Sequence, residues 1–150
     1  MSVENMPGEL EAPLQFLLRY FEAMLEWVRE HRKRRTACNR GEITFEEEVR
    51  LNADNWKEIH RRYFVRGDEL EGGHSYVWPP QYSIERNGLE FNIVASSSTK
   101  VAIEVTAAEI GAYGYPARYE IILADERWWI RRRLMLSDDG SRWCRNDFCL

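Results

Sequence analysis

Cysteine is scarce: Cys38, Cys144 and Cys149 are the three in 150 residues, and no CxxC pair or Cys/His cluster accompanies them. An odd count without ligand spacing argues against a disulfide framework or a zinc site, and reduced thiols are the expectation. His31, His60 and His74 are far apart, with no pair spaced as metal ligands on one helix, so no metal is expected. Long apolar runs are missing as well, and the opening MSVENMPGELEAP has neither a basic region nor an apolar stretch. A cytoplasmic chain with no membrane partner is the expectation. Positive charge is in deficit, with 25 acidic against 21 basic residues and a formal charge of -4, so no global basic field exists to hold nucleic acid. GDELEGGH, residues 67–74, carries acids and glycines without a calcium-loop register or a GxxxxGK[ST] phosphate loop. It reads as an exposed loop, and no cofactor is expected.

What the chain does have is core material: 44% hydrophobic and 13% aromatic residues suit one substantial core in a single domain over 1–150. Pro13 fits the first turn of a helix, after which Leu14, Leu17, Leu18, Phe21, Leu25 and Val28 recur at helical spacing until HRKRR, residues 31–35. That basic run suits a solvated helix C-terminus, with partner contact as the alternative. Phe16, Tyr20, Ala23 and Trp27 form a second apolar line, wider than one core face needs, so this helix is expected to be enveloped or to line a cavity. Thr44 followed by Glu47 makes a capping box for a second helix running to about Phe64, with Phe45, Val49, Trp56, Ile59 and Tyr63 on its buried side.

Beyond GDELEGG the period changes to alternation. Strands are expected over 89–95, 100–107, 117–124 and 127–136, with Pro79 and Pro80 making YVWPPQYS an entry segment or edge. Helices followed by consecutive antiparallel strands make an α+β fold in which a strongly curved sheet is packed over N-terminal helices. In YEIILADERWWIRRRL, neighbouring side chains of a strand face opposite ways, so Trp128 and Trp129 cannot enter the same core. A two-residue turn at Asp125 and Glu126 sets Leu123 opposite Trp128 and Ile121 opposite Ile130, on an apolar inner face. The other face then carries Ile122 against Trp129, Glu120 against Arg131 and Arg118 against Arg133, an apolar patch edged by arginines. Trp and Arg are enriched in interface hot spots, and this composition suits a partner surface, the alternative being local cover of Trp129 beneath the C-terminal tail or under Arg131. Arg132 is turned inward by the same alternation, where it needs a partner, a route to water, or a bulge in the strand.

The opening PLQFLLRYFEAMLEW, the PPQYS entering the sheet, the SSSTKVAIEVT hairpin, YEIILADERWWIRRR and the closing DGSRW together cover most of the chain. Their order resembles the nuclear transport factor 2-like superfamily, a cone-shaped α+β fold, and within it is most similar to immunity proteins of bacterial polymorphic toxin systems. ADERWW departs from the pattern in lacking an Asn-Gly or Asp-Gly turn. The resemblance implies a non-catalytic protein that binds and blocks a cognate toxin, and a homodimer as another occupant of the outer sheet face.

The alternative is a small-molecule isomerase, dehydratase or cyclase, since enzymes of the superfamily place Asp, His or Tyr inside the cone. Such chemistry needs a titratable group in an apolar pocket. The candidates are His60 and Asp54, with Tyr63 and Tyr82 as donors. His60 reads better as a flanking residue meeting solvent or a backbone carbonyl, and Asp54 as part of a solvated helix face. A polar turn likewise explains SSST without a bound anion. No catalytic residue is therefore assigned. The expected partner-binding residues are Ile122, Trp129, Arg131 and Arg133 on the sheet, with Glu46, Glu47 and Glu48 at the start of the second helix as an alternative face for a basic nuclease toxin.

Overall fold

The computed structural model describes residues 10–109, 112–137 and 139–145. Helices α1 (Pro13–Asn39) and α2 (Phe45–Tyr63) precede a 3-10 turn (Gly67–Glu69) and a short α3 (Ile84–Asn87). The strands β1 (Leu89–Ser96), β2 (Lys100–Ala107), β3 (Ala117–Ala124), β4 (Arg127–Leu136) and β5 (Trp143–Arg145) follow. They form one open antiparallel sheet in the order β1-β2-β3-β4-β5, each strand pairing with its neighbour in sequence. The four expected strands are present, and β5 is an addition too short for an alternation pattern to reveal.

Alternation places Val101, Ile103 and Val105 of β2, Ala117, Tyr119 and Ile121 of β3, and Trp128 and Ile130 of β4 on the buried face. Against them packs α1, through Phe16, Leu17, Tyr20, Phe21, Met24, Trp27 and Val28. Phe21 meets Phe91 and Tyr119 edge-on, the geometry favoured by aromatic quadrupoles. Both apolar lines of α1 are thus largely enclosed, and Met24 and His31 join them. Pro13 stands at the helix start as expected. The C-terminus lies farther on, at Asn39, so HRKRR is not the helix end: Arg34 and Arg35 bond to α2 and Arg32 covers the Trp78 ring.

The side chain of Thr44 caps α2 by accepting from the Glu47 amide, as the capping box requires. The buried side of α2 differs from the apolar one expected. Glu48, Asn52, His60 and Tyr63 are its fully buried residues, whereas Phe45 is 64% exposed and Val49, Trp56 and Ile59 are half-buried. Spacing of four residues puts Glu48, Asn52, Trp56 and His60 on one line along the helix. That line faces α1, which meets it with donors rather than hydrocarbon.

GDELEGG is also less exposed than its composition implies. Gly73 is buried at φ +92, and a Cβ there would lie 2.7 Å from the Ala53 Cα; one on Gly72 would strike the Trp56 ring at 2.6 Å. The glycines let this segment lie directly on α2. Cys38 is a free thiol, but Cys144 is disulfide-bonded, against the expectation of reduced thiols throughout; Cys149 lies outside the described residues. No helix among the described residues is long and apolar enough to cross a membrane.

Candidate functional site

The β3–β4 hairpin turns at Asp125 and Glu126, both in the left-handed region with φ 51 and 64. Two successive positive φ values are what a tight two-residue hairpin needs, so the backbone adopts this turn without the usual glycine. It brings Leu123 opposite Trp128, Ile122 opposite Trp129 and Ile121 opposite Ile130, as alternation predicts. Trp128 is buried and its Nε1 donates to the Glu11 carbonyl at 2.6 Å. Trp129 stands half-buried on the outer face beside Ile122, its Nε1 donating to the Ala124 carbonyl at 3.1 Å. The guanidinium over its ring, at 3.8 Å, belongs to Arg127. Arg127 also donates to the Arg62 carbonyl near the end of α2, tying the hairpin tip to that helix.

Beyond Ile130 the register shifts, because Arg131 is an extra residue on β4 and Glu120 pairs with Arg132. A bulge of this kind inverts the alternation that follows it. Arg132 therefore lies outside, in a two-point ion pair with Glu120 (2.7 and 2.8 Å), and Arg131 is exposed at the bulge. Arg133 corrects the expectation of an outer-face residue: it turns inward opposite Tyr119, its Nε donating to the Tyr119 hydroxyl at 3.0 Å and its Nη2 to the Gly114 carbonyl at 2.6 Å. Of the four expected sheet residues, Ile122, Trp129 and Arg131 share the outer surface and Arg133 does not. The bulge was one of the outcomes open for Arg132, and its consequence falls on the next residue as well.

The acidic turn of α2 also divides. Glu46 and Glu47 are exposed, but Glu48 is fully buried, which corrects its place on a docking surface. Its Oε1 accepts from Arg35 Nε at 2.6 Å, while its Oε2 has no hydrogen-bond partner among the described residues. Next to it along α2, Asn52 accepts from Arg34 at its side chain (2.8 Å) and from Trp27 Nε1 at its backbone carbonyl (2.9 Å). His31 is buried between the rings of Trp27 and Tyr76, with Nδ1 lacking a partner. Burial pulls its pKa down to about 4, although the Glu48 carboxylate opposes this.

His60 is interior, not a solvent-facing flank. It is 4% exposed and stacks on Trp56, with Nδ1 2.8 Å from the Trp56 carbonyl. Since a carbonyl only accepts, Nδ1 carries the proton and Nε2 is left to accept from the Tyr20 hydroxyl at 3.1 Å. Burial holds His60 at a pKa of about 4 and pushes the Tyr20 phenol well above its ordinary value. Asp54 is exposed on the solvated helix face expected for it and pairs there with Arg50 one turn before it.

Two hollows border these elements. One, of about 510 Å³, lies by the bulge and is lined by Phe64, Val65, Arg66, Ile122, Arg131 and Arg132 among others. The second, of about 400 Å³, lies between α1, α2 and the inner end of β4; Trp27, Trp56, Tyr76, Tyr82, Tyr113 and Arg133 contribute to its walls. Sequence reasoning missed the inner group, because Arg133 reaches it only through the bulge. The adjacency of three arginines in an otherwise alternating strand was the available signal.

No protein-family model matches the chain, and no curated protein or solved structure proved similar to it.

Proposed function

We propose that this protein acts by association rather than catalysis, as a cytoplasmic immunity protein that binds and neutralises a cognate bacterial toxin, on a cone-shaped fold of the nuclear transport factor 2-like kind. The observation that carries this reading is the outer face of the β3–β4 hairpin: Ile122 and Trp129 offer apolar area, Arg127 covers the indole, and Arg131 is exposed at the bulge beside them. A large ring with cationic neighbours is the composition that dominates interface energetics. Glu46 and Glu47, exposed at the start of α2, supply a separate acidic surface for a basic toxin. A homodimer would compete for the same sheet face.

The second reading, a small-molecule enzyme, draws on the inner cavity. His60 is its weakest element, since both ring nitrogens already have partners and burial favours the neutral form.

The test is calorimetric titration of the full chain with the purified C-terminal domain of the toxin encoded beside it. Trp129→Ala should weaken binding about thirtyfold, the effect of losing a hot-spot tryptophan. Unchanged affinity, with a loss on charge reversal at Glu46 and Glu47, moves the interface to the helices. No binding by the unmodified chain rejects the toxin reading, and turnover that vanishes in His60→Ala replaces it with the enzyme.

A further inference from the structure

A guanidinium taken out of bulk water is costly unless an anion or a full set of acceptors meets it. Arg133 is the inward-facing arginine of β4, and the groups around it are phenols: its hydrogen bonds go to Tyr119 and the Gly114 carbonyl, with Tyr82 and Tyr20 nearby. No carboxylate among the described residues pairs with it, whereas Arg118 and Arg132, on the opposite face, have Glu104 and Glu120. Its Nη1 makes no hydrogen bond to a described residue, which leaves the N–H groups of that nitrogen to donate to an anion's oxygens.

The same guanidinium lies in the wall of the inner cavity. At about 400 Å³ this space falls within the range of small-molecule sites, and the rest of its lining is largely aromatic and aliphatic, including Trp27, Trp56, Tyr76 and Tyr82. Gln81 borders it too, and its backbone carbonyl is held by the Tyr115 hydroxyl at 2.7 Å. Gly114 sets the end of this wall: at φ +86 it allows its carbonyl to accept from Arg133, and a Cβ would come within 3.0 Å of the guanidinium. A ring-lined space bordered by a cation that no carboxylate among the described residues pairs with selects a flat aromatic body carrying a single negative group.

We propose that this cavity binds a planar aromatic carboxylate, its rings against Trp27, Trp56 and Tyr76 and its carboxylate on Arg133. The assignment is independent of the hairpin's outer face, from which Arg133 is turned away. The full chain is titrated calorimetrically with 2-naphthoate and with its neutral isostere 2-naphthamide. The acid should bind at least about tenfold more tightly than the amide, one charge-assisted pairing's worth of discrimination. Equal affinities, or no binding of the acid at millimolar concentration, overturn the proposal. Arg133→Gln should bring the acid down to the amide's affinity, and retention of the preference overturns it. Val77→Trp, which fills the cavity from its loop side, should abolish binding of both compounds, and undiminished binding there places the probe elsewhere and rejects the site. If Arg133→Gln fails to fold, the acid-to-amide ratio of the unmodified chain and Val77→Trp still decide.

Discussion

The two flanks of α1 are buried by different chemistries. Toward the sheet it meets Ile103, Ile121, Ile130 and Tyr119 with Phe16, Leu17 and Phe21; toward α2 it meets Glu48, Asn52 and His60 with Arg35, Arg34, Trp27 and Tyr20. Hydrocarbon packing stabilises in proportion to area and tolerates sliding, whereas buried polar groups are favourable only in the register that satisfies them. The sheet side packs hydrocarbon and rings, and the α2 side fixes how the two helices align. The polar flank is not fully satisfied, since Glu48 Oε2 and His31 Nδ1 are buried without a hydrogen-bond partner among the described residues.

The sheet-side flank should break hardest. Trp128→Ala removes a buried ring and its bond to the Glu11 carbonyl, and is expected to cost about 3–5 kcal/mol in chemical denaturation. On the polar flank, acid does the work of a mutation. His60 has a folded pKa of about 4 against 6.5 unfolded, so its contribution is complete above pH 6.5, falls as pH drops from there toward 4, and is then gone. The loss should be about 3 kcal/mol, read as the difference in pH-stability profiles between the unmodified chain and His60→Phe. His31, shifted the same way, steepens the same window. Glu48→Ala, which releases Arg35 to solvent but empties a buried site, should cost about 2 kcal/mol. A Glu48→Ala variant as damaging as Trp128→Ala would erase the distinction between the flanks.

Outside both flanks, the hairpin provides the contrast. Trp129→Ala should cost the fold only about 1.5 kcal/mol, through lost area and the Arg127 contact. Equal melting of the Trp128 and Trp129 variants would reject the face assignment. Glu126→Gly should act in the opposite direction and stabilise by about 1 kcal/mol, since a glycine at φ 64 relieves the left-handed penalty. A destabilised variant would mean that the Glu126 side chain outweighs its backbone strain.

Local signals carried far along this chain. Pro13, the Thr44 cap and the turn at Asp125 and Glu126 ahead of the two tryptophans all stand where residue type and period put them. The misreadings share a cause. Phe45 looked buried because it is apolar, and Glu48 looked exposed because it is acidic, yet the face of α2 that meets α1 is set by where Arg34 and Arg35 arrive. Arg133 was placed on the wrong face because strict alternation was carried through the run Arg131, Arg132 and Arg133, whereas Arg131 is an extra residue in the pairing with β3.

By itself, then, the sequence determined the two long helices, the four longer strands and the facing of Trp128 against Trp129, because these follow from backbone propensity, period and turn chemistry within a few residues. Only the tertiary structure decided that α2 buries a polar line, that His60 is interior and bonded to Tyr20, and that Arg133 borders a cavity. Each of those depends on a partner dozens of residues away, or on a bulge that β4 reveals only in pairing with β3. Pairing across the sheet and between the helices is settled by whole-surface burial, which no local pattern encodes.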